Sequence, residues 1–207
     1  DVSSGVARDH HYIPQFWLRE WSDGCGKLVR FDRPFDKVVS RWKYPSQIGF
    51  VRDLYLFDGV PIAIAAQMES VLMRSIDDAA AVALTRLKTI IGGVPRDAGL
   101  RTPWVRFIMS LIHRGPESWR ALKQGLGQLW SDAEPNGQAS YAEMRKEHDP
   151  ENYEDWLAQL EPSYVQKAIF DIVPSTMNHK DIGRLLVNMI WDVFDLSNAQ
   201  YSLVLSD

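Results

Sequence analysis

The sequence predicts a mostly α-helical α+β fold, in which a helical core surrounds one long central helix and short strands lie near the N-terminus and at the C-terminus. Two patterns support this: from Pro61 onwards apolar residues recur every three or four positions, whereas shorter segments near both ends alternate apolar and polar residues. The first spacing is typical of amphipathic helices and the second of half-buried strands. A chain of 207 residues can bury a core of its own, so a single domain over 1–207 is expected.

Residues 1–60 are predicted to form a helix followed by short β elements. The helix begins at Pro14, whose fixed φ suits a first helical turn, and ends at the glycine-rich turn 22–26. Strand candidates follow at 27–33, 37–41 and 53–58.

Residues 61–196 are predicted to form the helical core. The apolar stripe from Pro61 to Ile91 should be the longest helix, which ends at Gly92, Gly93 and Pro95. The polar stretch 131–138 is predicted as a loop. Further helices are expected to begin at or beside Pro103, Pro116, Pro150, Pro162 and Asn178.

The end of the chain, 200–207, alternates as a strand does and then stops at Asp207. A native domain rarely ends on an apolar strand without a turn. We therefore expect the natural chain to have been truncated here and to continue beyond Asp207.

Composition narrows the classes of partner and of site. A net charge of −4 disfavours a nucleic-acid-binding protein with a basic surface throughout, but it leaves room for a local basic groove. The single cysteine, Cys25, excludes an intrachain disulfide and a cysteine-rich zinc site. The sequence identifies no specific partner.

Targeting signals are not apparent in the sequence. Charges interrupt every apolar stretch before the roughly 20 residues that a membrane span needs, and the N-terminus lacks the pattern of a signal peptide. A cytoplasmic location and no membrane partner are therefore expected.

Common catalytic and cofactor motifs are missing. The chain has no glycine-rich phosphate loop, dinucleotide fingerprint, Gly-x-Ser-x-Gly elbow, His-Glu-x-x-His motif or calcium loop. Nucleotide-hydrolysing and nicotinamide-dependent enzymes are disfavoured, and no cofactor is predicted, with a divalent metal as the alternative.

The segment from His10 to Arg19 carries a family resemblance. It reads His-His-Tyr-Ile-Pro-Gln-Phe-Trp-Leu-Arg and resembles the opening of a bacterial family, the domain of unknown function 4238, whose members begin with a His-His-Tyr-Val-Pro-Gln-Phe-Tyr-Leu-Arg type of motif. The resemblance extends to the helix of Glu69, to 113–116, where Gly115 replaces the family's usual threonine, and to 188–207. It implies a shared fold and a bacterial origin but no activity.

The adjacent histidines allow three interpretations. Neighbouring side chains point in different directions, so His10 and His11 make a poor chelating pair. A metal would need one of them together with ligands such as Glu69, His113 or Asp207. Alternatively, one histidine stabilises the turn before Pro14 structurally, or one takes part in a metal-free acid–base site.

Glu69 is the second candidate. Its helical neighbours are apolar or small, namely Ala65, Ala66, Leu72 and Met73. We therefore expect the carboxylate to be partly buried and to be met by Arg19, Arg114 or a histidine, because burial without a partner is costly. It either forms a structural ion pair or serves catalysis. Gln15 and Arg19 share a face of the first helix and are candidate ligand-binding residues.

Two functional hypotheses follow. The first is a hydrolase or nuclease-like enzyme, in which His10 or His11 is the general base, Glu69 and Asp207 supply carboxylates, and Arg19 or Arg114 stabilises negative charge. The second is a non-enzymatic binding or interaction module, in which the same residues form a buried structural network. The first requires these residues to converge within hydrogen-bond reach around one pocket. The second predicts that the histidines are packed beneath aromatic rings and that no cleft opens onto them.

Overall fold

The computed structural model describes residues 8–56, 66, 68–159, 164–200 and 203–205. In these ranges the fold is α+β and mostly helical, as predicted. The helices are α1 (Gln15–Arg19), α2 (Arg74–Leu87), α3 (Ala98–Arg114), α4 (Pro116–Met144), α5 (Tyr153–Gln159), α6 (Tyr164–Met177) and α7 (Lys180–Asn188). The strands are β1 (Asp9–His11), β2 (Leu28–Asp32), β3 (Val39–Lys43), β4 (Phe50–Arg52), β5 (Gly92–Gly93) and β6 (Asp192–Val193), paired β1–β4, β2–β3 and β5–β6.

The first sheet places the paired histidines. β1 runs antiparallel to β4, with His10 opposite Val51 and His11 opposite Phe50. Adjacent residues of a strand point to opposite faces, and accordingly His10 is buried while His11 is half-buried. Residues 53–56, the described part of the predicted strand 53–58, form no strand. The strand lies instead at Phe50–Arg52, because Asp53 adopts a φ of 57° and turns the chain.

The second sheet is a two-stranded hairpin, called here the β2–β3 ribbon. It confirms strands at the predicted segments 27–33 and 37–41, although the second is displaced by two residues to Val39–Lys43. Its tip contains Phe35 and Asp36, both with positive φ. No third strand pairs with the ribbon among the described residues.

The predicted long helix is only partly as expected. Residues 61–65 and 67 lie outside the described residues; a π-helical segment, Met68–Met73, leads into α2, which ends at Leu87. The longest helix described is instead α4, and it includes the stretch 131–138 that was predicted as a loop. Polarity alone does not end a helix when its far end is packed: Tyr141 of α4 contacts Tyr153 and Trp156 of α5.

Three predicted helix starts are also displaced. α5 begins at Tyr153 and not at Pro150. α3 begins at Ala98, and the Asp97 side chain accepts a 2.8 Å hydrogen bond from the Gly99 N–H. Asn178 does not cap α7, because His179 occupies the cap position. Its side chain instead accepts a 2.8 Å hydrogen bond from Arg106 on α3.

The main apolar core lies where α2 packs on α3. Its buried members are Leu54, Tyr55, Met68, Met73, Ile76, Ala80, Phe107, Trp119, Val173 and Met177. A smaller cluster at the other end of α2 contains Ala83, Leu87, Val94 and Leu100. α2 therefore forms the centre of the described core, as the apolar stripe of this region predicts.

Arg101 is a buried cation that ties α3 to the end of α7. Its guanidinium donates to the backbone oxygens of Val187 and Met189 at 2.8 and 2.7 Å, and to those of Val94 and Pro95 at 2.5 and 2.9 Å. It also lies 4.9 Å from the ring centroid of Trp191. This role cannot be predicted from the sequence, because the acceptors are backbone oxygens, which every residue has.

The C-terminal prediction is tested only in part. Of 200–207, residues 203–205 form no strand, and Asp207 lies outside the described residues. Among the described helices, none has both the length and the apolar character that crossing a bilayer would require.

Candidate functional site

A group of polar side chains lies within the main core, and we call it the polar cluster: Tyr55, Glu69, Asp77, Ser110 and Arg114. Arg114 sits at the end of α3 with 0% of its side chain exposed. It meets Asp77 of α2 at 2.9 Å (Nη2 to Oδ1) and 3.2 Å (Nη1 to Oδ2). Its Nη2 also donates to the Ser110 Oγ at 2.6 Å. The guanidinium is therefore fixed by α2 and by its own helix, α3.

Ser110 connects the guanidinium to the backbone of its own helix. Its hydroxyl donates to the carbonyl oxygen of Phe107 at 2.7 Å while it accepts from Arg114.

Burial raises the pKa of the Asp77 carboxyl, although the adjacent Arg114 opposes that rise. The Arg114–Asp77 pair thus brings two opposite charges into the core.

Glu69 lies on the π-helical segment just before α2. Burial raises its pKa to about 7; the positive charge of Arg114 opposes the rise and the negative charge of Asp77 adds to it. Its Oε2 atom is buried and has no hydrogen-bond partner among the described residues. π-Helical turns are rare and frequently occur at functional sites, which draws attention to this carboxyl.

Tyr55 is the aromatic member of the polar cluster. It is fully buried, and burial, followed by the charge of Glu69, raises the pKa of its phenol. Its hydroxyl and the Arg114 Nε atom are buried without a hydrogen-bond partner among the described residues. Orphaned polar atoms are uncommon in protein interiors and call for a water, a ligand or a catalytic role.

His10 joins this arrangement through Tyr55. The two rings stack with centroids 4.8 Å apart and planes inclined by 12°. The His10 Nδ1 accepts a 3.2 Å hydrogen bond from the backbone N–H of Tyr55, and Trp119 packs against the same tyrosine at 4.7 Å. His10 therefore fixes the backbone and ring of Tyr55, a member of the polar cluster.

The other N-terminal candidates form a separate row. Gln15 Nε2 lies 3.4 Å from His11 Nε2, and Arg19 donates to Gln15 Oε1 at 3.4 Å. The His11 ring packs against Phe50 at 5.4 Å, and burial lowers its pKa. Arg19 is exposed and bonds to Gln15; the cation whose charge acts most strongly on Glu69 is Arg114.

The family comparison matches nearly the whole chain. Residues 9–207 match the family described as Protein of unknown function (DUF4238). The chain belongs to this family. In comparisons with curated proteins and with solved structures, nothing matches. Membership in DUF4238 therefore assigns no reaction to the polar cluster.

The possible metal ligands of this DUF4238 protein do not gather at one point of the described chain. In the ranges that the structure describes, no three histidine, cysteine or acidic side chains come together so as to hold a metal ion. Asp207, one of the predicted ligands, lies outside those ranges.

Asp77, Tyr55 and Ser110 are members of the polar cluster that the sequence did not identify. For Asp77 and Ser110, the sequence spacing could have indicated membership of the polar cluster. Asp77 follows Glu69 by two steps of four residues, and Ser110 precedes Arg114 by four, spacings that bring side chains to one helix face. Ser110 also falls in a polar stripe with Arg106 and His113, a pattern typical of a solvated face, but the structure buries it fully. Tyr55 gives no local signal, because the turn after β4 brings it to the helices.

A cleft on the described part of the chain lies away from the polar cluster. A cleft of about 1050 Å³ lies between α1 and the β2–β3 ribbon, and its lining includes Leu18, Trp21 and Trp42. None of the five residues of the polar cluster lines it. The cleft and the polar cluster are therefore separate features of the molecule.

Proposed function

We propose that this DUF4238 protein is a hydrolase or nuclease-like enzyme in which Glu69 transfers protons. The observation that carries the proposal is a carboxyl with a pKa of about 7, on a π-helical turn, beside orphaned polar atoms of Tyr55 and Arg114. A group with a pKa near the working pH is suited to act as both base and acid. Perturbed carboxyls of this kind cluster at functional sites, although structural networks perturb them too.

The proposed chemistry assigns one task to each group. Ionised Glu69 accepts a proton from water as the water oxygen bonds to the electrophilic carbon or phosphorus of the substrate. Protonated Glu69 then returns that proton to the leaving group as its bond breaks. The Arg114 guanidinium is fully buried, so it stabilises the developing negative charge electrostatically from within the core and does not contact the substrate.

The histidines take different roles in this proposal. His10 is a positioning residue, because its ring and Nδ1 are engaged with Tyr55. His11 and Asp207 remain predictions as further acid–base groups. Gln15 and Arg19 remain predictions as ligand-binding residues.

The alternative is a non-enzymatic binding or interaction module with a structural polar network. Two observations favour it. His10 is buried against an aromatic ring, as that hypothesis requires. The pairing of the fully buried Arg114 with Asp77 and Ser110 is also what a structural network would show.

The two functions differ in what the substitution Glu69→Gln does. Chromogenic esters and phosphodiesters would be offered to the wild-type protein, to Glu69→Gln and to the control Glu143→Gln, which neutralises an exposed carboxylate on α4. If the protein is such an enzyme, the turnover rate of the wild-type protein should rise with pH and reach half its maximum near pH 7. Glu69→Gln should lower the turnover rate about 100-fold or more, whereas Glu143→Gln should leave it unchanged. Turnover unchanged by Glu69→Gln would remove Glu69 from the mechanism and leave the alternative.

A further inference from the structure

The β2–β3 ribbon is strongly basic in an acidic protein. From Lys27 to Lys43 it carries six cations and two acids, a net charge of +4, whereas the whole chain has a net charge of −4. The cations are Lys27, Arg30, Arg33, Lys37, Arg41 and Lys43, and the acids are Asp32 and Asp36. Charge of one sign is thus concentrated on one small element.

The register of the ribbon brings two of these cations side by side. Arg30 lies directly opposite Arg41, and residues opposite each other share a face of the ribbon. Like charges in this position destabilise a hairpin. Asp32 pairs with Arg30 at 2.7 Å, but Arg41 has no ion-pair partner among the described residues. The arrangement favours an external anion near Arg41.

The opposite face of the ribbon carries exposed aromatic rings that line the cleft beside α1. Val29 lies opposite Trp42 and Phe31 opposite Ser40, so Phe31 and Trp42 share the face away from Arg30 and Arg41. They are 60% and 59% exposed. At one end of this face the Lys27 ammonium lies 5.1 Å from the ring centroid of Tyr44. Exposed apolar patches of this kind usually mark interaction sites.

We propose that the β2–β3 ribbon binds single-stranded nucleic acid, with bases stacked on Trp42 and Phe31 and phosphates held by the cations. Aromatic rings on which bases stack, together with cations that follow the backbone, are the means by which proteins bind single strands without sequence preference. The proposal does not rest on Glu69, because none of the ribbon residues belongs to the polar cluster.

A flexible strand fits this ribbon better than other anionic surfaces do. Because no third strand covers either edge in the described residues, a single strand can pass around an edge and reach both the aromatic and the cationic face. A flat bilayer touches only one face. A duplex meets the cations, but its bases are already stacked on each other and leave Trp42 and Phe31 unused.

The test is fluorescence anisotropy with a labelled oligouridylate at low salt. Trp42→Ala should weaken binding by about 10-fold or more, whereas Trp42→Phe should keep most of it. Arg41→Glu should weaken binding and flatten its salt dependence, because removal of one phosphate interaction reduces the logarithmic salt slope by about 0.7. Circular dichroism would verify that each variant is folded.

Matched controls lie outside the ribbon. Phe194→Ala removes a ring that is 75% exposed, and Arg96→Glu reverses an exposed cation; both should bind the oligouridylate as the wild-type protein does. Glu69→Gln should also bind normally, so failure of the enzyme proposal would not affect this result.

Three outcomes would overturn the proposal. The first is no binding of the oligouridylate by the wild-type protein at low salt. The second is an equal decrease in affinity in the ribbon variants and the controls. The third concerns competition, with competitor concentrations expressed as phosphate. If phosphatidylserine vesicles or duplex DNA displace the labelled oligouridylate at a lower concentration than unlabelled oligouridylate does, the ribbon would be assigned to that partner instead.

Discussion

Glu69 is the residue whose ionisation links the chemistry of the polar cluster to the stability of the fold. Its pKa is about 7 in the folded protein against an ordinary value of 4.5. Between these values the folded state holds a proton that the unfolded state has lost. The contribution of Glu69 to stability is therefore full below about pH 4.5 and falls as the pH rises to about 7.

Glu69→Gln should accordingly stabilise the protein at alkaline pH. Glutamine resembles the protonated acid but cannot ionise, so the substitution removes the cost of a buried carboxylate. We expect unfolding free energies equal to those of the wild-type protein near pH 4 and higher by about 2 kcal/mol near pH 8, after allowance for partial exposure. Urea unfolding at both pH values measures this. A constant difference between variant and wild type across that range would contradict it.

Arg114 should be among the most sensitive positions of the protein. Arg114→Met leaves Asp77 buried without its cation, and breaking a buried pair in this way costs about 3–5 kcal/mol. Adding Asp77→Asn should restore part of that stability, because the Asp77 carboxylate is then no longer buried without its cation. Urea unfolding of both variants, with the exposed Arg96→Met as a control, provides the comparison. The prediction fails if Arg114→Met is no less stable than Arg96→Met.

The N-terminal pair shows how far residue-level inference from sequence extends. Adjacency alone indicates that His10 and His11 cannot chelate one ion well, and β1 places them on opposite faces. The half-burial of Glu69 also follows from its apolar neighbours. The stacking of His10 on Tyr55 does not follow, because it depends on a β1–β4 pairing between segments about forty residues apart.

The sequence predicts helices and strands well where local residue chemistry determines their bounds, and poorly where contacts between distant residues determine them. Pro14 and Pro116 immediately precede or begin helices, and the alternation at 27–33 corresponds to β2. The predicted loop 131–138 is helical because the end of α4 packs against α5 through Tyr141. Such a contact between distant residues leaves no local pattern.

The attachment of α7 to α3 through Arg101 gives a prediction at the scale of elements. Arg101→Met removes the donor of four hydrogen bonds to backbone oxygens and leaves those oxygens without this partner. We expect the variant to be about 3 kcal/mol less stable and to show faster amide exchange in α7. Hydrogen exchange would report this locally, with Arg96→Met as a control. Unchanged protection of α7 would show that Arg101 does not hold it.

At the scale of the whole molecule, two features of this DUF4238 protein are distinct. The polar cluster lies within the helical core, whereas the β2–β3 ribbon concentrates positive charge on an exposed hairpin of an acidic chain. Net charge alone therefore conceals a local surface of opposite sign. If the ribbon captures a nucleic acid and the cluster hydrolyses phosphodiesters, the two proposals describe one nuclease; each is nevertheless tested separately.

The most direct test of the account is the pKa of Glu69, measured by carbon-13 NMR of protein labelled at the glutamate carboxyl carbon. The Glu69 signal is assigned as the one missing from Glu69→Gln, and Glu143→Gln identifies an exposed reference. Glu69 should titrate near pH 7. Titration near 4.5, the ordinary value for glutamate, would contradict both the burial of this carboxyl and its proposed role in proton transfer.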